Sequence, residues 1–350
     1  MKIGIITKHS VPNYGAMLQA HGLCSYLRGI GIDAELVDYD QPATTQYFSR
    51  IRRFPPAINQ WLRLRRCRKF VVTRQHRSVE HCTSVEEFRR FSGKYTHLIT
   101  GSDQVWFTGP VQYYDPMYFL DFPFPYGKKI SYAPSVGGIE SFGEFEGQVR
   151  DALMDLDSIS VRDANSDRLV KSLIGKDPVM VSDPTFLHDF KELVDSRRPI
   201  AEPYMVIFGA VPPEREPVLR EIADRMKLKE IITLQYPNTV ATKRIPAPSP
   251  EDWLTYLHHS SFVATTYFHG TVFAMKFRKP FASFPTKGRV KKVSALLKDS
   301  ALTDRLILTG ERSAVTAAEL LAPIDWNQVE EKVGARVTVS TEFLKQALGA

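Results

Sequence analysis

The apolar positions of this 350-residue chain fall into two successive series of short buried strands and amphipathic helices. Between the first two strands, apolar residues three and four positions apart predict a helix from Tyr14 to Gly29. Strand, helix and strand in this order form a βαβ unit, the building block of parallel sheets. The strands predicted in the first series are residues 2–7, 33–39, 96–100, 129–133, 158–161 and 179–181.

A charged, proline-containing linker around Asp195 to Pro203 separates the two series. The second series predicts strands at 204–208, 231–234, 262–264 and 281–284, and helices at 214–226, 251–258, 271–277 and 290–298. We therefore predict an α/β fold class with two doubly wound Rossmann-like domains facing a cleft. The predicted domains are residues 1–195, with a basic helical insertion at 41–79, and residues 203–325, followed by a terminal helix at 326–350.

Positive charge is concentrated between Gln41 and Val79, where ten basic residues and no acidic residue occur. This local charge exceeds the net charge of +7 of the whole chain. Apolar residues including Trp61 recur there at helical spacing, and Pro55-Pro56 divides the stretch into two predicted helices. The stretch fits an anionic membrane surface or a pyrophosphate, or it is a solvated basic face. No base-reading motif accompanies it, so nucleic acid is not a predicted partner.

The N-terminal sequence bears on the location of the protein, and the cysteines bear on disulfide and metal sites. The sequence MKIGIITK leads directly into a strand and lacks the features of a signal peptide. Cys24, Cys67 and Cys82 show no metal-binding or disulfide spacing. We expect a cytoplasmic protein with free thiols and with neither a disulfide framework nor a structural zinc.

Each strand of the first series runs into small, polar or charged residues at its carboxyl end, where ligands bind in open α/β sheets. Asp103 and Gln104 can bind sugar hydroxyls, and Trp106 can stack on a sugar face. Asp103 can take a proton from a hydroxyl, or it can simply cap a helix.

Arg162 also follows a buried strand. It can bind a phosphate or carboxylate through two parallel hydrogen bonds, or form a structural ion pair with Asp163 or Asp183. In the first βα turn, Asn13 can cap the helix and Gly15 permits close approach of a ligand.

A histidine lies at a strand-to-helix turn in the segment SFVATTYFHGTVFAMKFRKPFASFP. Helix N-termini attract anions, and here His269 would add a titratable group. Gly270 would let a ligand approach the backbone, and Thr271 would cap the helix. The alternative is a buried histidine that helps the turn to pack.

These turns, in this order, resemble the polysaccharide pyruvyl transferase family. The matching stretches, from Gly4 to about Ile307, include GIITKHSVPNYGAMLQAHG, THLITGSDQVWF, KKISYAPSVG, ISVRDANS, VSDPTFL and FVATTYFHGTVFAMKFRKPF. The resemblance implies a GT-B-type fold with acceptor binding in the N-terminal domain and donor binding in the C-terminal domain. It also implies transfer of the carbon skeleton of phosphoenolpyruvate onto a sugar as a cyclic ketal, with release of phosphate. No step of this reaction would require a metal or a redox cofactor.

The resemblance further implies roles for individual residues. His269 would be a general acid or phosphate ligand, Arg162 would hold the donor, and Asp103 would be a base. The catalytic set is therefore His269, Asp103 and Arg162; the donor-binding set is Arg162, His269, Gly270, Thr271, Asn13 and Gly15; and the acceptor-binding set is Asp103, Gln104, Trp106 and Tyr14.

One position departs from the family pattern. Many members have arginine two positions before the histidine, where this chain has Tyr267. Candidates to supply the missing cation are Arg278, Lys279, Arg289 and Lys292. The departure keeps open a catalytically silent glycan-binding relative, beside a GT-B glycosyltransferase that uses a nucleotide sugar.

The resemblance also bears on location. Many surface-polysaccharide intermediates are built on a polyprenyl pyrophosphate carrier. Residues 41–79 would then hold the enzyme on the inner face of the membrane, close to such an acceptor.

Overall fold

The computed structural model describes residues 1–41, 58–109, 113–308 and 315–349. These residues form two compact units. The first comprises the described residues of Met1–Pro55, Val71–Asp189 and Ala335–Ala350, and the second those of Pro56–Phe70 and Phe190–Gly334. Each unit is built around one parallel sheet, so the predicted α/β class with two Rossmann-like domains is confirmed.

The sheet of the first unit has the strand order β3-β2-β1-β4-β5-β6-β7, and its strands pair in parallel. All six strands predicted in this half are present, with ends within two residues of the prediction. β3 was not predicted, because it is an edge strand with three successive exposed residues. The strands are β1 Lys2–Ile6, β2 Asp33–Tyr39, β3 Arg77–Cys82, β4 His97–Thr100, β5 Lys128–Ser131, β6 Ser158–Val161 and β7 Val179–Met180.

The sheet of the second unit has the strand order β10-β9-β8-β11-β12, and its strands are again parallel. The four predicted strands are present, and the short, exposed edge strand β10 is additional. Central strands were easier to predict because both of their faces are buried, which produces continuous apolar runs. The strands are β8 Tyr204–Phe208, β9 Glu230–Leu234, β10 Lys243–Ile245, β11 Phe262–Thr265 and β12 Phe281–Ser283.

Helices connect the parallel strands. Asn13 caps the first helix, as predicted, and Ser249 forms a capping box with Asp252 at the start of the helix Pro250–His259. Among the described residues, no helix is both long and apolar enough to cross a membrane. The helices are α1 Tyr14–Gly29, α2 Ile58–Arg74, α3 Val85–Arg89, α4 Pro116–Phe119, α5 Glu146–Met154, α6 Ala164–Ile174, α7 Glu216–Arg225, α8 Pro250–His259, α9 Phe268–Lys276, α10 Val290–Asp299, α11 Ala317–Leu321 and α12 Trp326–Leu348.

The basic segment contains a helix and an edge strand in the described residues. Its second predicted helix is α2, and the first, which would precede Pro55-Pro56, lies outside the described residues. Residues 58–70 of α2 belong to the second unit. Arg66 Nη1 donates to the carbonyl oxygen of Ala247 over 2.5 Å and lies 3.6 Å from a carboxylate oxygen of Asp252.

The end of α12 completes the core of the first unit. Leu344 is fully buried in a cluster that includes Ile3 and Leu27. The hydroxyl of Ser340 accepts a hydrogen bond of 2.8 Å from the backbone N–H of Ser182. Residues 335–348 of the terminal helix are therefore part of the N-terminal core, whereas residues 326–334 belong to the second unit.

Replacing Leu344 with alanine tests this packing. We expect Leu344→Ala to lower the free energy of unfolding by about 2–5 kcal/mol, because it leaves a cavity in the core. Urea unfolding followed by circular dichroism measures the change. The matched control is Val339→Ala at an exposed position of the same helix, which should shift stability by no more than about 0.5 kcal/mol. Equal effects of the two substitutions would contradict the assignment.

Candidate functional site

Three charged side chains come together at the carboxyl edge of the first sheet. Arg162 follows β6 directly, and Asp103 and Asp183 each lie three residues beyond β4 and β7. Parallel pairing of β4 through β7 places these strand ends at one edge. The backbone joins the turns, because Arg162 N donates to the carbonyl oxygen of Pro134, and Pro134 forms a β-bridge with Asp103.

Arg162 is the centre of this cluster. Its Nη1 donates to Oδ2 of Asp183 over 2.6 Å, and its Nη2 lies 3.6 Å from Oδ1 of Asp103. Burial by itself lowers the pKa of Arg162, but the carboxylates of Asp183 and Asp103 outweigh this effect and raise it. The predicted ion pair with Asp183 is present, whereas the carboxylate of Asp163 caps α6 through the N–H of Ser166.

Asp183 anchors the cluster and Asp103 is its most accessible member. The second oxygen of Asp183 accepts hydrogen bonds from the backbone N–H and the hydroxyl of Thr185, at 3.0 and 2.7 Å. Side-chain exposure is 1% for Asp183, 5% for Arg162 and 13% for Asp103. A substrate hydroxyl would therefore reach Asp103 first. Asp103 caps no described helix, so the simple capping interpretation is wrong.

Trp106 requires a correction. Its ring is fully buried and stacks on Phe119 with ring centres 5.8 Å apart. Its indole N–H donates to the carbonyl oxygen of Tyr118 over 3.1 Å. The structure therefore assigns Trp106 to the hydrophobic core rather than to a sugar-stacking surface. The neighbouring Gln104 is half-buried, and its side-chain amide lies against Gly137.

The first βα turn is organised around the start of α1. Oδ1 of Asn13 accepts hydrogen bonds from the N–H groups of Gly15 and Ala16, at 3.1 and 3.4 Å. This oxygen is therefore already engaged by the helix that it caps. The ring of Tyr14 is 3% exposed, which corrects the expectation that it faces an acceptor.

At the predicted strand-to-helix turn of the second unit, α9 begins earlier in the sequence than predicted. The helix starts at Phe268, and Tyr267 occupies the capping position without a side-chain cap. His269 is therefore the second residue of the helix. It is half-buried, and its ring meets that of Phe268 edge to face at 5.2 Å.

Gly270 and Thr271 hold α9 against the sheet. A Cβ atom at Gly270 would overlap Oγ1 of Thr265, so the glycine permits close approach of helix and strand. Thr271 lies inside the helix, fully buried, with its hydroxyl 2.6 Å from that of Ser283. The expectations that Gly270 faces a ligand and that Thr271 caps the helix are corrected accordingly.

Comparison with known proteins decides the family. The family profile described as polysaccharide pyruvyl transferase matches residues 13–288, more than half of the chain. The matched range includes Asp103, Arg162 and His269. The chain belongs to the polysaccharide pyruvyl transferase family. Membership in this family implies transferase activity in polysaccharide pyruvylation.

Solved structures similar to this pyruvyl transferase family member show its fold. A UDP-GlcNAc 2-epimerase from Neisseria meningitidis, bound to UDP-GlcNAc, is 10% identical with a TM-score of 0.53 and full coverage of both chains. A Listeria monocytogenes protein assigned as a UDP-N-acetylglucosamine 2-epimerase is 12% identical with a TM-score of 0.54, covering 98% of this chain and 94% of its own. These likenesses confirm the GT-B-type α/β fold. No curated protein matches the chain.

A cation does lie at the turn where this family member has Tyr267. The guanidinium carbon of Arg289 is 4.1 Å from the ring centre of Tyr267. The same ring stacks on Tyr236, and the two hydroxyls are 2.5 Å apart. Lys292 lies one helical turn further, with Nζ 5.6 Å from the ring centre of Phe268.

The other two candidate cations lie beyond the opposite end of α9. Arg278 forms an ion pair with Glu330, with Nε 2.6 Å from Oε1. Burial lowers the pKa of Lys279, and the positive charge of Arg198 lowers it further. Arg289 is therefore the candidate that the structure brings closest to Tyr267.

His9 is a polar residue for which the sequence alone indicates no partner. It is 1% exposed, and its Nε2 lies 3.2 Å from Oδ1 of Asp38. Burial opposes ionisation of Asp38, but His9 and Arg77 prevail and lower its pKa to about 2. The alternating pattern of β2 could have suggested this pair, because Asp38 interrupts an otherwise apolar strand end.

The fit between Gly270 and Thr265 is testable. We expect Gly270→Ala to destabilise the protein by about 1–3 kcal/mol, because the added methyl group must push the helix away from β11. The control is Gly288→Ala, where a Cβ atom would meet nothing within 4 Å. Thermal unfolding of both variants measures the difference, and equal melting temperatures would show that the contact is unimportant.

Proposed function

We propose that this protein forms a cyclic pyruvate ketal on a sugar of a surface polysaccharide or of its lipid-linked precursor. The donor is phosphoenolpyruvate, and two neighbouring sugar hydroxyls become bonded to its C2 atom. One hydroxyl proton ends on the donor methylene carbon, which becomes a methyl group. The C2–O bond to phosphate breaks, and phosphate leaves with the second proton. The atoms and charges balance without a redox cofactor or a metal.

Family membership supports the reaction class. The Arg162 cluster is the observation that supports the assignment of Asp103 as the general base. Asp103 is the most exposed carboxylate of the cluster, and Arg162 holds it in place. A carboxylate that is positioned in this way suits removal of a proton from a sugar hydroxyl. We therefore assign Asp103 as the general base and Arg162 as the residue that positions it.

Arg162 alone is a weaker candidate for binding the donor. Two carboxylates already outweigh its single positive charge, so an added carboxylate or phosphate would meet a cluster with net negative charge. A donor that carries a carboxylate and a phosphate needs further cations. Arg289 and Lys292 beside α9 meet this need, and His269 adds a group that can donate a proton.

The decisive experiment incubates the purified protein with phosphoenolpyruvate and a panel of aryl and lipid-linked glycosides. We expect release of phosphate and a product heavier by one pyruvic acid minus one water. His269→Ala should lower the rate by about 10²–10⁴-fold, because it removes an acid catalyst. Mass spectrometry and a phosphate assay measure both quantities. Full turnover by His269→Ala would refute the assigned role.

Ligand stabilisation separates the remaining alternatives. Phosphoenolpyruvate should raise the melting temperature, as any ligand does that binds only the folded state. Stabilisation by a nucleotide sugar alone would instead favour a glycosyltransferase. A rise in melting temperature with glycans, together with no turnover of phosphoenolpyruvate, would favour a silent glycan-binding relative.

Arg289→Gln tests the cation at the turn. We expect KM for phosphoenolpyruvate to rise about tenfold or more, because a hydrogen bond to a charged group contributes about 1.5–3 kcal/mol. The matched control is Arg278→Gln, which removes a guanidinium beyond the other end of α9 and should leave KM unchanged. Steady-state kinetics at saturating acceptor measures both values, and identical effects would exclude a specific role for Arg289.

A further inference from the structure

The helix α2 has an unusual surface composition. Cys67, Phe70 and Val71 are buried on one side. The opposite side carries residues three or four positions apart, which therefore share one face of the helix. This exposed face of α2 consists of Ile58, Trp61, Arg65, Arg68, Lys69 and Val72.

Large apolar side chains on this face are open to solvent. Exposure is 72% for Ile58, 47% for Trp61 and 60% for Val72. In a helix that only packs against its own protein, apolar residues collect on the buried side. Here they occur on both sides, so the exposed face of α2 has the composition of a contact surface.

The same face is strongly cationic. Three of its six residues are arginine or lysine, and the whole helix contains no acidic residue. Within the described part of the chain, neither Arg65 nor Arg68 forms an ion pair with a carboxylate. Arg65 instead lies over the ring of Trp61, with its guanidinium carbon 5.5 Å from the ring centre. Within the described residues, the positive charges of Arg65 and Arg68 are therefore not neutralised by a carboxylate.

We propose that the exposed face of α2 binds an anionic lipid surface. Cations interleaved with Trp, Ile and Val suit a helix lying at the headgroup boundary, where the apolar groups enter the lipid and the cations meet its charge. Tryptophan is favoured at that depth because its ring is amphipathic. A nucleic acid would use the cations but leave Ile58 and Val72 in water, so the lipid surface accounts for more of the face.

The inference does not depend on the proposed function, because vesicle binding needs no turnover. The test is co-sedimentation of the full chain with vesicles of phosphatidylcholine alone and with one third phosphatidylglycerol. We expect binding only to the anionic vesicles, and weaker binding at high salt. Arg65→Glu with Arg68→Glu should lower the partition coefficient at least about tenfold, because each cation near such a surface strengthens binding about fivefold and the variant loses two of them.

A charge-matched control separates a local effect from net charge. Lys176→Glu with Lys332→Glu reverses two exposed cations elsewhere and should retain most of the binding. Trp61 gives a second readout, because its fluorescence should shift to shorter wavelength with anionic vesicles. Trp61→Phe should abolish that shift.

Three outcomes would overturn the proposal. One is equal vesicle binding by Arg65→Glu/Arg68→Glu and the control pair. Another is equal binding to neutral and anionic vesicles. The third is binding to nucleic acid without binding to vesicles.

Discussion

Parallel strand pairing is the constraint on which the rest of this structure depends. In a parallel sheet every connection must return across a face, so helices cover the sheet and the central strands become mostly apolar. Polar side chains then follow the carboxyl ends of these strands. This is why Asp103, Arg162 and Asp183, which are far apart in the sequence, meet at one edge of the first sheet.

Burial of charge shapes the chemistry of that edge. A guanidinium as buried as that of Arg162 requires carboxylates nearby, and Asp183 and Asp103 supply them. The same pairing leaves the cluster with a net negative charge and Asp103 as its most exposed carboxylate. In the second unit, a separate cation, Arg289, lies beside Tyr267. An arginine that stacks on an aromatic ring is held by the ring without losing its ability to donate hydrogen bonds.

Distant segments of the chain complete the two units. Residues of α12 such as Leu344 fill the core of the first unit, although they lie at the other end of the sequence. Residues 58–70 belong to the second unit, although the sequence places them inside the first series of strands. The helix α2 packs against the protein through one side only. Its opposite side, which carries cations and apolar side chains, stays exposed.

The sequence by itself determined the α/β class, ten of the twelve strands of the described residues, the cap at Asn13 and the family. These features depend on local spacing or on ordered motifs, and both are visible without three-dimensional contacts. Only the tertiary structure decided what individual side chains do. It placed Trp106 in the core, made Gly270 a packing contact with Thr265, and brought Arg289 to Tyr267. Each of these outcomes depends on a neighbour that lies at least five residues away in the sequence, and neither propensity nor periodicity contains that information.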